Sequence, residues 1–366
     1  MTLTYFSIIS GLSGLGPTKD DITKQALAAL SGTDKYYMHG GQLQIIHDIL
    51  SSRGQDILDI NRQQALVPDT CEVIPNRRGT APIMVFRGLG SGNSTLYAMP
   101  GVPFETEAAL PDVVADITAH YPTDNILHRN VMTYGLAESA LAKKISAWED
   151  ALPKEVHLAY LPDPLKGVRL RLSIYSGSLD NERQLLENKI EELSKIIGEN
   201  IYSHEDDTLE GALGKVLKKN NLTLSVAESC TGGEIAHLVT TVPGSSSYFL
   251  GSVTSYAVKV KEKVLGVAPE TIEGYGVVSS ETAMEMAAGV RKLMGSDYAV
   301  STTGFAGPGG GDGRFPEGTV WIGVATPNGV FSEKFCYKND RRRNIQRFAA
   351  TALFVLLKQI NRELNT

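Results

Sequence analysis

Apolar and polar positions divide the chain into three stretches of different texture. In residues 1–122 short apolar runs alternate with helical patterns. "YFSIIS" reads as a strand, "GLSGLGPTKDD" as a glycine-rich turn, and "DITKQALAALSG" as a helix closed by Gly32. Pro17 and the two aspartates suit the first turn of that helix, where proline is tolerated and negative charge meets the positive dipole end. "STLYAMPGVPFE" predicts a strand running into a Pro/Gly loop. This alternation predicts an α/β layer around a mostly parallel sheet. Residues 123–203 carry a helix ("GLAESALAKKISAWEDAL"), two alternating strands ("VHLAYLP", "VRLRLSIYS") and a charged helix ("NERQLLENKIEELSKIIG"). They predict a small α+β connecting domain. The acidic "SHEDDT", Ser203 to Thr208, reads as a linker.

Residues 208–366 predict a further α/β domain. A helix around Leu209–Leu217 leads into the strand "LTLSVA". "SSETAMEMAAGVRKLMG" is a serine-capped helix ending at Gly295, followed by the strand "DYAVSTTG". A hairpin turns at Asn328-Gly329, and a final amphipathic helix spans about Arg341 to Leu364. The fold class is therefore α/β throughout, with a small α+β middle.

Bulk composition narrows the function. Lys plus Arg number 35 against 41 Asp plus Glu, a net charge of −6, which argues against a general nucleic-acid binder. No apolar run approaches the length of a membrane span. The N-terminal run lacks a basic n-region and reads as a buried strand rather than a signal peptide. Three scattered cysteines, Cys71, Cys230 and Cys336, argue against a disulfide framework and for a reducing compartment, with the cytoplasm as the expected location. No His/Cys cluster has zinc spacing.

Candidate chemistry gathers in "SVAESCTGG", Ser225 to Gly233. A strand stopping at Ser229 and entering a helix through Gly232 and Gly233 puts the hydroxyl in a carboxyl-end crevice. There the N–H groups of Thr231 to Gly233 would face a phosphate or an oxyanion. The competing use of Ser229 is as a helix N-cap. His237 lies eight residues on, about 12 Å along one helix, and cannot take the serine proton. A lysine of lowered pKa can replace histidine. Lys259, Lys261 and Lys263 are the candidates, with Tyr256 just before them. A strand would put all three on one side and a helix would separate them. Cys230 reads as a buried neighbour. Six glycines between Gly304 and Gly313 allow close approach to a ligand. In "NDRRRNIQRFA", Asp340 can cap the last helix, and Arg341 or Arg347 can reach a phosphate.

Together "AESCTGG", "GSVTSYAVKVKEKVLGV", "GVVSSETAMEMAAGVR", "YAVSTTGFAGPGG" with "PEGTVWIGVA", and "NDRRRNIQR" resemble the C-terminal domain of the CinA family, from about Leu209 to the end. The resemblance implies a nicotinamide-nucleotide amidohydrolase that converts nicotinamide mononucleotide to nicotinate mononucleotide and ammonia, in pyridine nucleotide salvage. It implies that the catalytic serine, tyrosine and lysine are Ser229, Tyr256 and Lys261. Where the family commonly has "YSNxxK", this chain has "YAVKVK". "GLGPTKDDITKQ", "NRQQALVP", "GTAP" and "MPGVPFE" are similar to the family's molybdopterin-binding-like domain. That domain is expected here without its first strand–helix units, and Ser13 stands where a glycine is expected. Some members show ADP-ribose pyrophosphatase activity there with a divalent metal, which implies a nucleotide site at Lys19, Asp20, Asp21, Asn61 and Glu105. The middle segment resembles the family's KH-like domain. A homodimer is implied, with neither nucleic acid nor membrane as partner.

The expected mechanism needs no cofactor. Neutral Lys261 accepts the Ser229 proton, and Tyr256 orients the lysine or relays a proton to departing ammonia. Amides near Thr231, Gly232 and Gly233 hold the oxyanion or phosphate. The Gly304–Gly311 loop closes over the ribose phosphate, Thr303, Gly304, Ala306 and Gly307 contact the substrate, and Arg341 anchors the phosphate. Lowering the lysine pKa by about three units costs on the order of 4 kcal/mol, so the pocket must be dry or flanked by a cation such as Lys259 or Lys263. Two other readings remain at this stage: the metal-dependent pyrophosphatase, and a non-catalytic nucleotide-binding protein in which Ser229 only caps a helix.

Overall fold

The computed structural model describes residues 6–9, 22–89, 94–121, 126–175 and 179–364, which group into two units, Met1–Thr123 and Asp124–Thr366. Within the first unit lie β1 (Phe6–Ile9), α1 (Thr23–Leu30), β2 (Tyr36–Met38), α2 (Gly40–Ser52), α3 (Asp59–Arg62), β3 (Leu66–Pro68), β4 (Glu72–Ile74), β5 (Ile83–Leu89), β6 (Ser94–Ala98) and α4 (Pro103–His120). Its larger sheet has the order β1-β6-β5-β4. Only β1 and β6 run parallel there; β5 pairs antiparallel with both β6 and β4. The expected mostly parallel sheet is thus corrected to a mixed one. Among the described residues no helix separates β4, β5 and β6, and a parallel pair needs a crossover of a dozen or more residues.

The second unit begins with β7 (Ile126–Thr133), α5 (Glu138–Asp150), β8 (His157–Asp163), β9 (Gly167–Tyr175), α6 (Leu179–Ile197) and β10 (Ile201–Ser203). These form an antiparallel sheet of order β10-β7-β9-β8. One sheet face carries Val131, Leu170 and Leu172 against Leu141, Ile145 and Trp148 of α5 and Leu186, Ile190 and Leu193 of α6. The alternation read in β8 and β9 is the signature of this half-covered sheet.

The segment expected as a linker is tied down, with Arg169 bonded to Asp206 and Lys215 to Glu205 and Asp207. Beyond it come α7 (Leu209–Lys219), β11 (Leu224–Glu228), α8 (Glu234–Thr241), β12 (Phe249–Thr254), α9 (Val258–Leu265), α10 (Pro269–Tyr275), α11 (Ser280–Met294), β13 (Tyr298–Gly304), β14 (Thr319–Thr326), β15 (Gly329–Cys336) and α12 (Arg341–Leu364). The sheet order is β12-β11-β13-β14-β15. The first three strands are parallel and the last two return antiparallel through the Asn328-Gly329 turn. Ser279 caps α11 by accepting from Thr282 N, Asp340 accepts from Arg343 N at the start of α12, and Gly295 closes α11 in the left-handed region, as their sequence signals predict.

Helix α12 lies against one sheet face with Phe348, Leu353 and Leu357 packed on Val226, Val300 and Ile322. Helix α11 covers the other through Met286, Ala287 and Val290. Each of these side chains larger than alanine is worth about 1.5–3 kcal/mol when fully buried. The two layers hold the carboxyl ends of β11 and β13 side by side, and that is where the chemistry gathers.

Candidate active site

Strand β11 is buried along its whole length and ends at Glu228, so Ser229 leaves the sheet at its carboxyl edge. Ser229 N–H donates to the Thr302 carbonyl of β13 at 3.0 Å, which pins the residue beside the neighbouring strand. Gly232 and Gly233 then take positive φ, 66° and 111°, turning the chain into α8. The N-cap of α8 is Gly233, not Ser229. The helix-capping alternative for Ser229 is therefore corrected: the hydroxyl is free for another partner.

That partner is Lys261. The stretch expected to be strand or helix is the helix α9, which separates the three lysines: Lys259 and Lys263 are exposed, whereas Lys261 is fully buried. Its Nζ is hydrogen-bonded to Ser229 Oγ at 2.8 Å and also donates to the Ser255 carbonyl. Burial lowers its pKa from 10.5 to about 8. The expectation that Lys259 or Lys263 supplies a neighbouring charge is corrected, because loss of solvation does the work. In the amine form one N–H stays on the Ser255 carbonyl, which leaves the lone pair facing the serine hydroxyl.

The expected amide cradle is largely spent on the protein itself. Gly232 N–H donates to the Ser229 carbonyl at 3.2 Å, and Gly233 N–H to Glu228 Oε2 at 3.0 Å. Of the three amides, Thr231 N–H alone is left without an acceptor among the described residues. The Thr231 hydroxyl is buried against Thr302 Oγ1 at 2.7 Å.

A cleft of about 200 Å³ opens over Ser229. Of the expected residues, Tyr256, Thr303, Gly304, Ala306 and Arg341 line it; Thr231, Gly232, Gly233 and Gly307 do not. Val277, Val278 and Phe305 complete its walls. Sequence reasoning missed them, since an apolar pair after a glycine carries no chemical signature. Cys230 is buried at the edge of the cleft, and burial pushes its thiol up to about 12, so it stays an inert thiol.

Tyr256 sits at the rim, 63% exposed. Arg341 donates to its hydroxyl at 3.1 Å and to the Gly307 carbonyl at 2.6 Å. The lysine is thus oriented by Ser255 and not by Tyr256, a correction to the first of the tyrosine's two expected roles. Arg347 is elsewhere, stacked on Tyr337 at 4.4 Å and lining a different cavity of about 620 Å³, so it is not the phosphate anchor of this cleft.

Of the residues assigned to the first unit's nucleotide site, Lys19, Asp20 and Asp21 lie outside the described residues. Asn61 is in α3, where its Oδ1 accepts from Leu58 N–H. Glu105 lies in the first turn of α4 and accepts from Asn76 Nδ2 at 2.7 Å, against the chain at Gly79. Among the described residues no group of three or more His, Cys, Asp or Glu could hold a metal ion.

The chain has relatives. A "CinA-like protein" of Flavobacterium psychrophilum is 45% identical over 363 residues, spanning 96% of this chain and 84% of its own. The chain belongs to the CinA family. A second CinA-like protein, from Cytophaga hutchinsonii, is 41% identical over 97% of this chain and 84% of its own. A model described as the CinA C-terminal domain matches residues 206–360, and one described as the damage-inducible protein CinA KH domain matches residues 128–203. Among solved structures, the competence/damage inducible protein CihA from Agrobacterium tumefaciens is 34% identical, with TM-score 0.40, over 43% of this chain and 94% of its own. The family match thus includes every residue of the cleft.

Proposed function

We propose that this chain is a nicotinamide mononucleotide deamidase, hydrolysing the carboxamide to nicotinate mononucleotide and ammonia. The carrying observation is the 2.8 Å bond between Ser229 Oγ and a fully buried lysine whose pKa is lowered to about 8. A serine paired with an amine that is readily neutral has the requirements of an acyl-transfer nucleophile.

In the proposed course, Ser229 Oγ attacks the carboxamide carbon while its proton passes to Lys261 Nζ. The carbonyl oxygen becomes the oxyanion of a tetrahedral intermediate. Collapse breaks the C–N bond, and the proton on Lys261 leaves with the nitrogen as ammonia. Water then attacks the acyl-serine carbon, again giving a proton to Lys261; collapse breaks the C–Oγ bond, Lys261 returns that proton to Ser229 Oγ, and the product acid loses its proton to solvent and departs as the carboxylate. The apolar walls from Val277, Val278 and Phe305 suit a flat ring, and the cleft is smaller than a typical whole-ligand pocket of about 300–1,000 Å³. The ribose phosphate therefore lies at the rim, beside Arg341. With this reading go the remaining expectations: a cytoplasmic homodimer in pyridine nucleotide salvage, acting without cofactor, nucleic acid or membrane.

The test is product analysis with nicotinamide mononucleotide in the presence of a chelator. Ammonia and nicotinate mononucleotide from the wild type, lost in Ser229→Ala, support the reading. Metal-dependent AMP formation from ADP-ribose with no ammonia release would transfer the activity to the first unit.

A further inference from the structure

Glu228 stands immediately before the nucleophile and is completely buried. Its carboxylate accepts three backbone N–H bonds from the start of α8: Gly233 at 3.0 Å and Ile235 at 3.1 Å on Oε2, and Ala236 at 2.9 Å on Oε1. A lone buried carboxylate is costly, and these charge-assisted bonds at the positive end of a helix offset that cost. Its main chain does a second job. The Glu228 carbonyl accepts Ser255 N–H at 2.7 Å and Ser255 Oγ at 3.3 Å, and the Ser255 carbonyl in turn accepts from Lys261. One residue therefore ties the turn that presents the nucleophile to the segment that aims the base.

We propose that Glu228 is a positioning residue for the Ser229–Lys261 pair: its carboxylate clamps the turn 229–233 onto α8, and its carbonyl sets the lysine through Ser255. This rests on the serine–lysine reading above and adds a residue to it. An apolar side chain would have left three amides of α8 open; the carboxylate closes that seat from inside. The phosphate of a substrate is thereby excluded from the helix start and directed to the rim.

The experiment follows the labelling rate of Ser229 by a fluorophosphonate in the full chain, located by mass spectrometry, alongside ammonia release. Glu228→Gln keeps the shape but turns an N–H donor toward N–H donors, so labelling and kcat fall at least tenfold while KM changes less than threefold. Glu228→Asp, one methylene short, falls less. Val239→Ala, a buried change on the same helix, lowers the melting temperature but leaves labelling below that temperature at the wild-type rate. If Glu228→Gln fails to fold, Glu228→Asp compared with Val239→Ala carries the same test. Equal labelling of wild type and the folded Glu228 variants, or no labelling of the wild type, overturns the proposal. Brisk labelling of the wild type without ammonia release, slowed in Glu228→Gln, keeps the positioning role and sinks the amidohydrolase reading instead.

Discussion

An ammonium on Lys261 sits in the interior with two acceptors, the Ser229 hydroxyl and the Ser255 carbonyl, for its three N–H bonds. Its folded pKa of about 8 lies below the ordinary 10.5. At pH 7 both the folded and unfolded chains carry the proton, so the burial penalty is fully present. As pH rises from about 8 to 10.5 the folded chain alone has released it, and stability climbs. Lys261→Met should therefore abolish turnover yet raise stability at pH 7 by up to about 3 kcal/mol, an advantage that shrinks as pH rises past about 8 and is mostly gone by pH 10. Urea melts at pH 7 and pH 10 check this, and a variant less stable at pH 7 would refute the assigned cost. At the rim, Arg341→Gln should raise KM for nicotinamide mononucleotide about tenfold and leave kcat within a few-fold, as expected for one charge-assisted contact. The phosphate-free nucleoside should show no such change in KM.

The elements are arranged so that α9 comes close enough for Lys261 to reach Ser229. Helix α9 ends against α11 at Gly289, where an added Cβ would collide with the Leu265 carbonyl oxygen. Gly323 of β14 is equally tight against the Ala283 carbonyl, so α11 is seated directly on the sheet. Gly289→Ala should cost about 1–3 kcal/mol and displace α9. The expected signature is a lower melting temperature together with a fall in kcat, since Lys261 moves with the helix. Much of this layer was legible in the sequence. The caps Ser279, Gly295 and Asp340 and the Asn328-Gly329 turn are local signals with local consequences. The helix α9 was not legible, because "VKVKEKV" satisfies a strand's alternation as well as a helical face. The same limit applied to β4, β5 and β6, where strand direction depends on partners far along the chain.

Across the whole molecule, the residues of the cleft come from segments more than a hundred positions apart, Ser229 to Arg341, brought together at one edge of one sheet. Family resemblance marked Ser229 and Lys261; no local pattern announced Ser255 or Glu228, whose contacts form only once β11, β12 and α9 are packed. The claim on which the account depends is that a buried amine, neutral when it acts, activates the serine. Its most direct measurement is the pH dependence of kcat for ammonia release from nicotinamide mononucleotide. The account predicts a rate that rises through one ionisation near pH 8 and levels above it, with that limb absent from the residual rate of Lys261→Ala. A flat profile between pH 6 and 10, or an unchanged limb in Lys261→Ala, would contradict it.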